Sequence, residues 1–116
     1  PENSIAEAYK QAILDSAEER PEVTTAFSGK PARGLRNTYM DALRGHEDAL
    51  LPFPSQYSIF GALRAHATQT NDGEYLPMWS GQGVGLATQE PAGDLVTRVT
   101  AECDAILGGL SVPADK

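Results

Sequence analysis

The chain has 116 residues, enough for one small domain and too few for two with separate cores. A net charge of -7 argues against nucleic acid and anionic membranes as partners, because either would be repelled by the overall field. One cysteine, Cys103, excludes an internal disulfide framework and a Cys-based zinc cluster, and without a signal-like start or an apolar run of roughly 20 residues the expectation is a soluble cytoplasmic protein.

Eleven glycines and eight prolines interrupt the chain often, so the expected fold is mainly α and loop-rich, with one or two short strands. Residues 4 to 19 read as a helix. Ser4 and Glu7 match a capping box, and Ile5, Tyr9, Ala12, Ile13 and Ala17 share one face at helical spacing. Pro21 stops it. The β-branched and aromatic stretch EVTTAFS (22 to 28) predicts a short strand, closed by the turn signal Gly29-Lys30-Pro31. A second helix is expected from Leu35 to about Arg44, with Leu35, Tyr39, Met40 and Leu43 on one side and Gly45 near its end.

The prolines of LLPFPSQ (50 to 56) hold that segment extended. With Pro54 in its first turn, a third helix carries Tyr57, Ile59, Phe60, Leu63 and Ala67 as its apolar positions and ends near TNDG. In YLPMWSGQGVGLATQEP, glycines alternate with Gln82, Val84 and Leu86, a pattern poor for helix and suited to backbone that approaches something closely. The last helix is expected from about Ala92 to Leu107. Leu95, Val96, Val99, Cys103, Ile106 and Leu107 form its stripe, and Gly108 and Gly109 end it.

Two stretches invite chemistry. In SGKPARGLRN, Lys30, Arg33 and Arg36 either grip an anion or pair with nearby carboxylates, and the spacing matches neither a nucleotide phosphate loop nor a dinucleotide fingerprint. In WSGQG, Gly81, Gln82 and Gly83 either admit a planar ring, with the Gln82 amide at its edge, or simply form a glycine-rich turn. His46 and His66 read as surface residues. Apart from the weak His46-Glu47-Asp48 cluster neither has a ligand at metal spacing, so no metal site is expected. Cys103 reads as a buried, inert thiol, and Asp94, Glu102 and Asp104 as solvated helix charges. No nucleophile, base and orienting group assemble, so no catalytic residue is assigned.

The ordered run PENSIAEAYKQAIL, TTAFSGKPARGLRN, LPFPSQ, EYLPMWSGQGVGL and the closing amphipathic helix resembles the carboxyl-terminal part of nitronate monooxygenases, formerly called 2-nitropropane dioxygenases. Such proteins are FMN-dependent TIM barrels that oxidise alkyl nitronates with molecular oxygen and are related to a flavin enoyl-acyl-carrier-protein reductase. The resemblance implies that residues 1–20 form the helix after the last barrel strand, 21–90 a small, largely helical cap, and 91–116 the carboxyl-terminal helix packing on the barrel. It implies a partner too, the amino-terminal barrel segment. The family's FMN phosphate contacts and catalytic histidine lie upstream of Pro1, so neither His46 nor His66 inherits a role.

Within the resemblance, Gly29, Pro31, Arg33, Gly34, Arg36 and Asn37 match the stretch that leaves the barrel for the cap. Lys30 stands where a basic residue is usual, and Arg33 and Arg36 would anchor the cap on barrel carbonyls or carboxylates. Gly81, Gln82 and Gly83 match the segment returning to the flavin or substrate cavity. Two other readings remain: a non-catalytic helical interaction module, and the carboxyl-terminal half of a split flavin enzyme.

Overall fold

The structure, a computed structural model, describes residues 4–16 and 21–110. By contact, Ile5–Thr88 forms one compact unit and the stretch from Gln89 onward belongs to a second. The first unit holds α1 (Glu7–Asp15), β1 (Glu22–Thr24), β2 (Ala32–Gly34), α2 (Thr38–Leu43) and α3 (Ser55–Thr70), with single 3-10 turns at Glu47–Ala49, Gly73–Tyr75 and Val84–Leu86. The second holds α4 (Ala92–Gly109). The architecture is mainly α with two short strands, as the composition implies.

Helix α1 starts at Glu7 instead of Ser4. Ala6 occupies its cap position and offers no side-chain bond, so the capping box does not form. A remote residue substitutes: Asn71 Oδ1 accepts from the Ala8 N–H at 2.8 Å. Asn71 itself ends α3 in the left-handed region at φ 54°, so one residue closes one helix and serves the open amides of another. Ala17 and the expected continuation to residue 19 lie outside the described residues.

Strands β1 and β2 pair antiparallel, with Val23 opposite Arg33. β1 ends at Thr24, short of the expected 28, because the Gly29 N–H turns back to the Thr25 carbonyl at 2.8 Å and sends Ala26 and Phe27 into the core. Helix α2 begins at Thr38, three residues after the expected start. Leu35 is drawn out of the helix by its N–H, which donates to the Met78 carbonyl at 2.8 Å, and it becomes one of the most buried side chains.

Helix α3 follows Pro54 as expected but buries a different face. Gln56, Phe60 and Ala67 point inward, whereas Tyr57, Ile59 and Leu63 are exposed. Gln56 tolerates burial because both ends of its amide are used: Nε2 donates to the Ala26 carbonyl at 2.8 Å and Oε1 accepts from the Leu51 N–H at 3.0 Å.

The core of the first unit has two parts. Leu35, Ala67, Leu76, Met78 and Val84 pack with Tyr9, Ala12 and Ile13 of α1. Thus α1 shares a core with the stretch expected to be the cap. Phe27, Met40 and Phe60 form the other part, flanked by Tyr39.

Helix α4 continues through Gly108 and Gly109, which were expected to end it, and closes at Leu110. Its stripe is exposed at Leu95, Val96, Val99, Ile106 and Leu107, and Cys103 is exposed with it. Membership of an apolar stripe buries a thiol only where something covers the stripe, so the expectation of a buried Cys103 does not hold.

Candidate functional site

The two chemically unusual stretches meet in one seam. Gly34 bridges antiparallel to Trp79, with the Leu35 N–H on the Met78 carbonyl at 2.8 Å and the Ser80 N–H on the Arg33 carbonyl at 3.1 Å. The chain around Trp79 therefore runs along the free side of β2. Glycine is required at 34, since a Cβ there would lie 2.9 Å from the Met78 carbonyl oxygen and 3.2 Å from the Trp79 ring.

A second glycine joins the LPFP segment to the same assembly. Gly29 has φ +82°, and a Cβ on it would lie 2.5 Å from the Leu51 carbonyl oxygen. Lys30, next in sequence, sets its ammonium 4.6 Å from the Phe53 ring centre. SGKPARGLRN thus contacts LPFP through Gly29 and Lys30, and MWSGQG through Gly34.

Asn37 fastens the seam. Its Oδ1 accepts from the Met40 N–H at 3.1 Å, capping α2, while Nδ2 donates to the carbonyls of Gly73 at 3.0 Å and Leu76 at 2.8 Å. The return contact comes from Glu74, whose Oε2 accepts from the Thr38 N–H at 2.9 Å and from the Thr38 hydroxyl at 2.5 Å. These bonds, the hydroxyl first, hold the Glu74 carboxyl below its usual range.

Trp79 anchors the returning segment. Its ring meets Phe27 edge-on at 5.4 Å and 87°, Phe27 stacks on Tyr39 at 5.0 Å, and the Tyr9 hydroxyl donates to the Trp79 carbonyl. Burial raises the pKa of Tyr9 and of Tyr39, so neither phenol is prepared to lose its proton. The Ser80 Oγ is buried without a hydrogen-bond partner.

Directly after this anchor, Gly81, Gln82 and Gly83 form an exposed turn ahead of buried Val84. A Cβ on Gly81 would meet nothing within 4 Å, and one on Gly83 would meet only Leu86 at 3.8 Å. Packing among the described residues therefore does not demand these glycines. Of the basic residues, Arg36 pairs with Asp41 at 2.7 Å, and this bond holds the Asp41 carboxyl low, whereas Arg33 is exposed on β2.

An open groove of about 200 Å³ lies beside β1, lined in part by Glu22, Thr24, Met40, Leu43, Arg44 and Glu47. Arg44 spans Glu22 at 2.6 Å and Asp41 at 3.4 Å on its rim. Neither histidine nor cysteine lines it, and of its two carboxylates Glu22 is paired with Arg44. His46 and His66 are both exposed, and no cluster of three metal-ligating side chains occurs among the described residues. No described helix is long and apolar enough to cross a membrane.

The model of the nitronate monooxygenase family matches residues 1–102. The chain belongs to the nitronate monooxygenase family. A probable nitronate monooxygenase of Staphylococcus haemolyticus (strain JCSC1435) is 34% identical over 106 residues, and one of Staphylococcus aureus (strain MSSA476) is 33% identical. Each match covers 91% of this chain but 30% of the relative. A crystal structure of nitroalkane oxidase from Streptomyces ansochromogenes is similar with a TM-score of 0.79 and 33% identity, again over 91% of this chain and 30% of that one. The chain thus spans less than a third of the family members it matches, as a carboxyl-terminal segment would.

Asn71, Gln56 and Glu74 were not legible as structural residues in the sequence. Asn71 alone left a trace, standing in the TNDG stretch where the third helix was expected to end; the partners of the other two lie 30 and 36 positions away.

Proposed function

We propose that this chain is the carboxyl-terminal portion of a flavin-dependent nitronate monooxygenase that oxidises alkyl nitronates with molecular oxygen in the cytoplasm. Residues 21–90 would serve as the cap of an FMN-binding TIM barrel, with 1–20 and 91–116 as the flanking barrel helices. The observation that carries this reading is the seam, in which an anchored Trp79 delivers the exposed turn Gly81-Gln82-Gly83, whose glycines are not demanded by close packing among the described residues. Room left at a turn on a fixed stem suits a backbone that lies against a planar group.

The exposed glycine backbone and the Gln82 carboxamide would suit the edge of a planar flavin ring. When bound, the flavin supplies the redox chemistry. Gln82 would direct its amide toward the ring edge or the substrate, and Trp79 with Tyr9 would hold the turn in place. Lys30, Arg33, Arg36 and Asn37 would serve the passage between barrel and cap: Lys30 through its seat on Phe53, Asn37 by tying the start of α2 to Gly73 and Leu76, and Arg36 by fixing α2 through Asp41.

Exposed apolar residues along α4 support a covering surface supplied by the rest of such an enzyme. The test is FMN titration and oxygen uptake with a small alkyl nitronate, using this chain alone and mixed with the part of the Streptomyces ansochromogenes enzyme that it does not match. Flavin binding and turnover are expected only in the mixture. Turnover by the chain alone would require a different site, and a folded mixture that binds no flavin would favour a non-catalytic interaction module.

A further inference from the structure

We propose that Arg33 is the cap's contact for a carboxylate on the remaining, barrel-forming part of the enzyme, an inference that rests on the segment reading above. The other described basic side chains are already engaged. Lys10 pairs with Glu7, Arg36 with Asp41, Arg44 with Glu22 and Arg98 with Glu90. Lys30 and Arg64 sit over the rings of Phe53 and Tyr57. Among the described residues only the Arg33 guanidinium has neither a carboxylate nor a ring. In a chain of net charge -7, carboxylates outnumber cations, and Arg33 is the described arginine left with neither a carboxylate nor a ring.

The backbone presents this side chain rigidly. Arg33 lies between Val23 of β1 and Ser80, whose N–H binds its carbonyl at 3.1 Å. Gly34, the next residue, would direct a Cβ at Met78 and Trp79 on the core side. Alternation along the strand therefore places Arg33 on the opposite face, where its cross-strand neighbour Val23 is 59% exposed. A planar guanidinium held on a fixed strand beside an exposed valine suits bidentate capture of a carboxylate.

A protein surface fits this seat better than a small anion. Small ligands require a concave site, and the groove beside β1 is not lined by Arg33. Relatives are covered over only 30% of their length, so the larger remainder is available to supply the acid. Arg36 already holds a carboxylate, Asp41, at 2.7 Å, and so gains less from a further one.

The experiment is a calorimetric titration of this chain, wild type and variants, into the unmatched part of the Streptomyces ansochromogenes enzyme at two salt concentrations, with circular dichroism confirming that each variant is folded. Arg33→Ala is expected to weaken association about tenfold and to flatten its salt dependence, with Arg33→Lys between it and wild type and Arg64→Ala within about twofold of wild type. Association by Arg33→Ala within about twofold of wild type would overturn the inference alone. Failure of the wild-type chain to associate would overturn the segment reading and this inference with it. Titration with inorganic phosphate and with propyl nitronate distinguishes the remaining case: Arg33-dependent binding of either would make the seat a small-anion site and overturn the protein contact.

Discussion

The side-chain amide of Asn37 donates to the Leu76 carbonyl at 2.8 Å, across 39 positions of sequence, while its oxygen caps α2 through the Met40 N–H. One buried side chain thereby fixes the start of a helix and the position of the segment that leads to Trp79. Removing it leaves the cap and two carbonyls unsatisfied together.

Asn37→Ala is accordingly expected to lower stability by about 3 kcal/mol, combining a lost helix cap with unpaired buried carbonyls. Asn37→Asp keeps the cap but supplies no donor to Gly73 and Leu76, so its loss should be of similar size. Urea unfolding midpoints of the two variants are the check, and a loss below about 0.5 kcal/mol for either contradicts the assigned role.

Gly34→Ala tests the seam itself. Its Cβ would press on the Met78 carbonyl oxygen at 2.9 Å, a backbone atom that cannot swing away. A loss of about 1–3 kcal/mol is expected, with the Trp79 fluorescence maximum shifting as the ring is displaced from Phe27. Unchanged emission and stability would mean that the two stretches are not held together as described.

At Gly81 the same substitution should behave in the opposite way. A Cβ there meets nothing within 4 Å, so Gly81→Ala should leave stability within about 0.5 kcal/mol of wild type. If the turn lies against the flavin, FMN affinity of the reconstituted enzyme should fall several-fold in the same variant. Equal flavin affinity would remove Gly81 from the cofactor site.

Acid should loosen the start of α2. The Glu74 carboxyl is held below its ordinary value, chiefly by the Thr38 hydroxyl and then by the Thr38 N–H. A depressed native pKa means that the contribution is complete above the unfolded value, near pH 4.5, and is lost as pH falls through the lower native one. Glu74→Gln should therefore be less stable than wild type at pH 7 and should converge on it toward pH 3. Thermal melts of both proteins across that range give the answer, and a constant difference would show that ionised Glu74 is not the cause.

Much of this molecule was legible from local pattern. Helix α3 starts directly after Pro54 and ends at the turn at 71–73, because proline and a left-handed residue act through the backbone alone. The family was legible for a different reason, in that SGKPARGLRN and WSGQG are each unusual in composition. Sequence also marked Gly29 as part of a turn, though not that it approaches Leu51, and gave no sign that Gly34 would lie against Met78 and Trp79.

Tertiary structure decided the rest. Pairing with Met78 took Leu35 away from the helix its periodicity favoured, since a buried N–H must find an acceptor and the returning segment supplied one. Asn71 capped α1 in place of Ser4, and α3 buried Gln56 in place of Tyr57, because contacts at long sequence separation determine which face is covered. Local periodicity states which side chains could share a face. Only the packed chain determines which of those faces meets a partner, and the difference is greatest at Arg33, Cys103 and the turn at Gly81, where the described residues supply none.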